Sequence, residues 1–173
     1  MRGIKIKKKL LVALCLLFIF IGFFHLSFSR SYHHFFSKST DLSKENINSI
    51  FLGDSINSDK VRGKYGYINK LSQDNVKYNY YYLNEKIEVA TEKNDDKIIR
   101  FVVDDKNIFS TKGIKIGDDK DKIISLYGKN YYKRIEQGTD IIGYVDRKNK
   151  TSLEFWMYDD KMIFFRLDYK YME

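Results

Sequence analysis

Histidine and cysteine, which most often serve as nucleophiles, general bases and metal ligands, are confined to the first 34 residues of this chain. They are His25, His33, His34 and Cys15, so residues 35–173 contain neither type. Ser-His-Asp and Cys-His nucleophile arrangements are therefore excluded there, as are zinc sites built on histidine or cysteine. The adjacent pair His33-His34 lacks a third ligand, which is typical of solvated histidines.

Carboxylates are the remaining catalytic candidates, as a pair of the glycosidase kind. Adjacent aspartates most often form turns and helix caps, and nothing here fixes two carboxyl groups at the separation that glycoside hydrolysis needs. The sequence contains no phosphate-binding loop and no dinucleotide-binding glycine motif. It predicts no catalytic residue, metal or cofactor, and hence a protein that is not an enzyme. The carboxylates considered are Asp95-Asp96, Asp104-Asp105, Asp118-Asp119 and Asp159-Asp160, with Glu88 and Glu154 on predicted strands.

The positive charge is concentrated at the amino terminus. Residues 1–9 hold five positive charges and no negative one, which leaves +3 of the formal +8 for the rest of the chain. Beyond residue 9, acidic and basic residues are interspersed, as on an ordinary solvated surface. A nucleic acid partner is therefore not expected.

An apolar run over residues 10–28 follows the basic segment. As a helix it would be roughly 28 Å long, close to the ~30 Å hydrocarbon core of a membrane. Residues 1–29 are thus either a membrane anchor or a secretory signal peptide cleaved after Ser29. Because basic flanks stay in the cytoplasm, the rest is expected outside, either as the outer part of a single-pass membrane protein or secreted. The polar segment 30–46 is predicted to be a juxtamembrane linker.

The chain beyond residue 46 contains two copies of one sequence pattern. Gly53-Asp54 matches Gly117-Asp118, and Asp95-Asp96-Lys97 matches Asp159-Asp160-Lys161. Both matches are separated by the same 64 residues (from 53 to 117 and from 95 to 159). We therefore predict a first α+β repeat unit at 47–105 and a second at 106–173.

Each unit is predicted to be a short helix followed by antiparallel strands. Aspartates at 118–119 can cap the second helix and Gly128 can end it, whereas Gly63 interrupts the first. A helix covering one face of an antiparallel sheet, repeated side by side, gives an α+β protein with a two-layer body. The predicted strands are Val76–Leu83, Lys86–Thr91, a run at 98–103, Tyr131–Glu136, Ile141–Arg147, Ser152–Tyr158 and Met162–Tyr169. The three residues between the last two strands predict a hairpin in which Tyr158 pairs with Met162, and Trp156 therefore with Phe164.

The motif Gly-Ile-x-Ile-Gly-Asp at 113–118, with a short helix, Tyr127-Gly128 and a strand meander, resembles a class of small exported bacterial domains. Relatives in architecture include the outer-membrane assembly lipoprotein of the SmpA/OmlA type. The tandem arrangement is similar to the beta-lactamase inhibitor protein and to the CAP-associated domain of Gram-positive secreted proteins. The resemblance implies a non-enzymatic binding role and carries over no catalytic residue. The first unit departs from the pattern by a two-residue insertion before its helix and by Gly63.

Alternation along the strands predicts one core face and one aromatic face. The core face is predicted to carry Leu153, Phe155, Ile163, Phe165, Leu167, Ile99 and Phe101. The opposite face, called here the aromatic face, is predicted to carry Trp156, Tyr158, Phe164, Arg166, Arg100, Tyr80 and Tyr82, with Tyr144 depending on its strand register.

Aromatic and arginine side chains are enriched at the centres of protein interfaces. The aromatic face is therefore predicted to bind another exported or envelope protein. The alternative is a cell-wall or glycan-associated protein, with or without weak carboxylate-based hydrolysis. A third interpretation is that segment 30–46 folds over the aromatic face and hides it.

Overall fold

The computed structural model describes residues 11–12, 14–17, 29–68, 70–71, 76–169 and 171–172. Contacts divide the chain into two units, residues 1–36 and residues 37–173, and we call the second unit the body. In the first unit, residues 11–12 and 14–17 are helical, and helix α1 spans Arg30–Phe36. No helix among these described residues is long and apolar enough to cross a membrane. Most of the predicted span at 10–28 lies outside them.

Residues 37–46, the second part of the predicted linker at 30–46, lie within the body. The first part is helix α1. The amide of Thr40 donates to the carbonyl of Val145 at 2.8 Å, and the amide of Leu42 donates to the Asp146 carboxylate at 2.9 Å. The Leu42 side chain is buried in the main core. These contacts join residues about a hundred positions apart, so the local sequence pattern could not predict them.

Seven antiparallel strands form one sheet in the body, in the order β1-β2-β3-β7-β6-β5-β4. The predicted α+β class is confirmed, and pairing of β3 with β7 makes the sheet continuous. The helices are α2 (Asp59–Tyr65) and α3 (Lys120–Tyr127). The strands are β1 (Tyr78–Asn84), β2 (Ile87–Glu92), β3 (Ile98–Val103), β4 (Tyr132–Glu136), β5 (Thr139–Asp146), β6 (Thr151–Tyr158) and β7 (Lys161–Tyr169).

Both helices of the body pack on one face of the sheet and enclose the main core. Val61 of α2 and Ile123 of α3 are buried there in one cluster with Phe155 and Phe165. The Asp119 side chain caps α3 by accepting from the amide of Lys122 at 2.9 Å, as predicted for this aspartate pair. The other face of the sheet is left without a helix from α2 or α3.

The two halves of the body use the same backbone hydrogen bonds at their Gly-Asp turns. In the first half, Gly53 donates to the carbonyl of Ile98 at 2.8 Å, and Ile98 donates back to the carbonyl of Asp54 at 2.9 Å. Each turn is thus tied to the start of the last strand of its half. In the second half, Gly117 donates to Met162 at 2.8 Å and Met162 donates to Asp118 at 2.9 Å.

The halves meet around one central residue pair. Val102 of β3 pairs with Arg166 of β7, and these positions correspond under the 64-residue offset of the sequence pattern. The flanking pairs follow the same symmetry. Phe101 pairs with Leu167 and Val103 with Phe165, and the offset relates Phe101 to Phe165 and Val103 to Leu167. The division into repeat units at 47–105 and 106–173 stays a prediction.

A β-bulge occurs at the same place in each half and corrects two predicted core residues. The register skips Ile99 between β2 and β3, and Ile163 between β6 and β7. Ile163 is 41% exposed, and Ile99 is buried in a small separate cluster with Ala90 and Met172. An extra residue in one strand breaks the alternation on which the core prediction rested.

The hairpin between β6 and β7 also differs from the prediction. Tyr158 pairs with Lys161 across a two-residue turn, Asp159-Asp160, in which both residues have positive φ. The bulge then shifts the register by one, so Trp156 faces Phe164 as the expected three-residue loop had implied. The predicted pairing is correct, but for a different reason.

Loss of either Gly-Asp turn is expected to destabilise the body. The Asp118 carboxylate accepts from the amide of Lys115 at 2.9 Å and from Lys122 Nζ at 2.8 Å. We expect Asp118→Ala to lower the free energy of unfolding by about 1–2 kcal/mol at pH 7, measured by urea denaturation. Asp54→Ala should act in the same way, because Asp54 accepts from Phe51 and Lys60.

The pH dependence of this loss follows from the pKa of each carboxyl group. Burial raises the pKa of Asp54 and of Asp118, but hydrogen bonds from lysine and from a backbone amide outweigh it and lower the pKa overall. Their stabilisation is therefore present above the ordinary aspartate pKa and lost as pH falls through the lowered value. The exposed carboxylate of Asp104 accepts no hydrogen bond from a described residue, so Asp104→Ala is the control. An equal loss in this variant would contradict the prediction.

Candidate functional site

The aromatic face lies on the side of the sheet opposite α2 and α3. Strand register places most of the predicted site residues there. Tyr158 is at the end of β6, beside the hairpin turn, and is 72% exposed. The predicted residues that share this face are Tyr80, Tyr82, Arg100, Trp156, Tyr158, Phe164 and Arg166.

Tyr144 does not belong to the aromatic face. Its side chain is fully buried in the main core, where its ring lies 5.2 Å from that of Tyr127. The Tyr144 hydroxyl donates to the carbonyl of Gly128 at 2.9 Å, next to the end of α3. Tyr144 pairs with Leu153, a core-face residue, and the sequence had left this register open.

Trp156 is stacked within the face and is 8% exposed. Its ring stacks on Phe164 with the centroids 4.8 Å apart. The guanidinium groups of Arg166 and Arg134 lie 5.4 Å and 5.7 Å from the indole centroid. Such contacts favour the cation because of the quadrupole of the ring. Trp156 is therefore a packed element of the face, and Trp156→Ala would remove packing as well as any contact with a partner.

Glu154 holds the two guanidinium groups beside Trp156. Its carboxylate is fully buried and accepts from Arg134 Nε at 3.0 Å and Arg134 Nη2 at 3.1 Å. It also accepts short hydrogen bonds from the Tyr132 hydroxyl and from Arg166 Nη2. Burial disfavours the charge of Arg134, but Glu154 outweighs this effect and raises the pKa of Arg134.

A second buried carboxylate, Asp168, continues the network into the first half of the sheet. It accepts from Ser152 Oγ at 2.7 Å and from Arg100 Nε at 3.2 Å. Arg166 Nε lies 3.5 Å from Asp168, so Arg166 sits between the two carboxylates. Arg100 also donates to the carbonyl of Met172 at 3.3 Å, which ties residue 172 to this face.

This arrangement does not favour carboxylate catalysis. Glu154 and Asp168 are fully buried and bonded to guanidinium groups, so neither is presented to a substrate. Among the described residues, no group of three or more His, Cys, Asp or Glu could hold a metal ion. That the protein is not an enzyme stays a prediction.

Gly143 makes room for the buried network and was not singled out from the sequence. It pairs with Tyr132, whose ring lies so close that a Cβ at position 143 would overlap it. The ring can therefore cross β5 and deliver its hydroxyl to Glu154 on β6. Two signals pointed here: an isolated glycine inside a strand, and a glutamate in the apolar strand SLEFWM.

Tyrosines dominate the first-half end of the face. Tyr78 and Tyr80 pack against a small apolar cluster that contains Met172. Tyr169, the last residue of β7, and Tyr171 just beyond it stack with their rings nearly parallel and the ring centroids 5.5 Å apart. Tyr82 is 46% exposed. Segment 37–46 does not cover these residues, since its buried Leu42 belongs to the main core on the other side of the sheet.

Comparison with known proteins finds similar solved structures but no matching family. No family model matches this chain, and no curated protein matches it. An extracellular protein containing a SCP domain from Bacillus anthracis str. Ames is similar at 7% identity, with a TM-score of 0.49 over 76% of this chain and 48% of that one. A cysteine-rich secretory protein from Staphylococcus aureus subsp. aureus Mu50 gives 14% identity and a TM-score of 0.45, covering 70% and 45%.

The third similar structure is a proposed beta-lactamase inhibitor protein from Streptococcus mutans, at 16% identity and a TM-score of 0.26 over 80% of this chain and 91% of that one. The chain spans about half the length of the first two structures. The CAP and beta-lactamase inhibitor classes that the sequence resembles are thus represented among these neighbours. The SmpA/OmlA class is not among the three.

Proposed function

We propose that this protein is an exported, non-catalytic module that binds another exported or envelope protein through its aromatic face. One observation carries the proposal. On a sheet face that α2 and α3 leave uncovered, Trp156 stacks on Phe164, and two guanidinium groups that buried carboxylates hold in place lie against the Trp156 ring.

A sheet face that contacts only water usually carries threonine, lysine and glutamate, because large apolar rings gain no burial there. Here the rings and arginines are the side chains enriched at interface centres. Their rotamers are already fixed by the network around Glu154, so a partner would immobilise few side chains on docking. Pre-organisation of this kind favours affinity.

The contact groups available to a partner lie around the packed centre. Tyr82 and Tyr158 are exposed, and Phe164 is half-buried beside Trp156. Tyrosine supplies a large, rigid and amphipathic contact at a low cost in conformational entropy. We therefore assign the centre a structural role and the exposed tyrosines the direct contacts.

The proposal places the body outside the cytoplasm. Residues 1–9 are basic and residues 10–28 are apolar, which is the pattern of an anchor or signal that keeps its basic end inside. The partner is then a protein of the envelope or the surroundings. Whether residues 1–29 remain attached does not change which face it meets.

The exposed tyrosines test the proposal better than Trp156 does. Full-length protein, immobilised in detergent, would capture partners from envelope and culture fractions, with identification by mass spectrometry. For the partner found, we expect Tyr82→Ser and Tyr158→Ser each to weaken binding by about 2 kcal/mol, roughly 30-fold in Kd. The free energy of unfolding should change by no more than ~0.5 kcal/mol.

Tyr67→Ser is the matched control, because Tyr67 is 87% exposed but lies outside the sheet. Equal weakening in this variant would show that the effect is not specific to the aromatic face. Retention on purified wall polymer, lost in Tyr82→Ser and Tyr158→Ser, would support the glycan-associated alternative instead.

A further inference from the structure

One row of residues crosses the aromatic face from the first half of the sheet to the second. Tyr82 pairs with Glu88, Glu88 with Val102, Val102 with Arg166, and Arg166 with Glu154. Paired residues of neighbouring strands point to the same side, so all five lie on this face. Glu88 and Glu154 therefore sit one strand out from the central pair, on opposite sides of it.

The bulges show that the two glutamates occupy equivalent places. In β2 the register shifts just after Ala90, two residues beyond Glu88. In β6 it shifts just after Trp156, two residues beyond Glu154. The two positions thus have the same backbone setting, and the difference between them lies in their neighbours.

Among the residues that the structure describes, Glu154 has hydrogen-bonded guanidinium partners and Glu88 has none. Arg166 faces Glu154 and bonds it, whereas Val102 stands at the corresponding place facing Glu88. The Glu88 side chain makes no hydrogen bond or ion pair with any residue that the structure describes. The guanidinium of Arg100, diagonal to Glu88, is bonded to Asp168 and to the carbonyl of Met172.

The Glu88 carboxylate is also partly withdrawn from water. Its side chain is half-buried in the sheet face, and burial raises its pKa above the ordinary glutamate value, with the charge of Arg100 opposing the rise. A desolvated carboxylate without a partner is unfavourable. The ionised Glu88 carboxylate therefore destabilises the fold, and a cation bound beside it would offset this destabilisation.

We propose that Glu88 receives an arginine side chain of the partner protein. The partner supplies to Glu88 the guanidinium that Arg166 supplies to Glu154. This site rests on the function proposed above and specifies which chemistry the partner presents. Tyr82 lies beside Glu88 and is exposed, so its ring is available to stack on the same guanidinium. A planar guanidinium can bond a carboxylate with two parallel hydrogen bonds, which an ammonium cannot do.

The test follows the Glu88 carboxyl carbon by NMR in the full-length protein, in detergent. The probe is acetyl-Gly-Gly-Arg-Gly-Gly-amide, and the control probe carries neutral citrulline in place of arginine. We expect saturable shifts at Glu88, Tyr82 and Val102 with the arginine peptide, and at least tenfold weaker binding of the citrulline peptide. Glu88→Gln should weaken the arginine peptide at least tenfold. Glu85→Gln, in the exposed β1–β2 turn, should leave it unchanged.

Equal responses to the two peptides, or an unchanged response in Glu88→Gln, would overturn the site. Tighter binding of a matching lysine peptide would overturn the assignment of arginine. Partner capture separates the two proposals. If Glu88→Gln retains capture while Tyr82→Ser loses it, the binding face stands and the arginine site falls. If neither loses it, the binding face falls as well.

Stability gives a second readout that does not depend on a probe. Because the pKa of Glu88 is raised in the folded state, its ionisation destabilises the fold above that pKa. Glu88→Gln should therefore raise the unfolding temperature at neutral pH. The gain should disappear as pH falls below the ordinary glutamate pKa, where Glu88 is protonated in both states. A fall in unfolding temperature at neutral pH would contradict an unpaired carboxylate.

Discussion

Gly143→Ala is expected to destabilise the body by about 3 kcal/mol or more, since it combines overpacking with the loss of a buried hydrogen bond. The added Cβ would overlap the ring of Tyr132, which has to move away from β5. Glu154 then loses the hydrogen bond that the Tyr132 hydroxyl donates to it. Urea denaturation followed by the fluorescence of Trp156, the single tryptophan, measures the loss.

Gly63→Ala provides a control of opposite sign. Gly63 lies inside helix α2, and a Cβ built there meets no atom within 4 Å. Alanine at this position should stabilise the body by up to ~1 kcal/mol through helix propensity. If Gly143→Ala were as benign as Gly63→Ala, Tyr132 would not depend on a glycine beneath its ring.

Glu154→Ala should cost about 3–5 kcal/mol, the usual penalty for breaking a buried ion pair from one side. Arg134 and Arg166 would lose the carboxylate that they share, and because both side chains are largely buried, water could not replace it well. The fluorescence of native Trp156 should change as well, because both guanidinium groups contact its ring. Circular dichroism with urea denaturation gives the free energy of unfolding independently of that signal.

Glu85→Ala is the comparison for this substitution, because Glu85 lies in an exposed turn of the same sheet. Its effect should stay within ~0.5 kcal/mol. A loss below 1 kcal/mol in Glu154→Ala, with unchanged fluorescence, would mean that the arginines hold their places without Glu154. The pre-organised face of the proposed function would then lack its support.

The strands of the second half were predictable because alternation and turn residues are local signals. Ser152–Tyr158 was predicted and β6 spans Thr151–Tyr158; Met162–Tyr169 was predicted and β7 spans Lys161–Tyr169. The pairing of Trp156 with Phe164 was also correct. These features depend on residues within about twenty positions of one another.

Features that depend on distant residues were not predictable in the same way. The pairing of β3 with β7, and the return of segment 37–46 to β5, join positions far apart in the chain. Most of the predicted face was placed correctly, but its chemistry was not foreseen. Alternation assigns a side chain to a face, whereas whether Trp156 is exposed or Glu154 is paired depends on arginines from other strands.

Pairing of β3 with β7 also affects the chain while it is being made. The segment of β3, IIRFVV, is rich in strand-forming residues and emerges long before β7, the last strand of the sheet. Synthesis from residue 104 to residue 169 takes roughly 3–13 s at ~5–20 residues per second. Throughout that time one edge of β3 lacks its partner and can pair with another chain. Arg100 is the single charge in this strand, so the side chain that later bonds Asp168 first opposes aggregation.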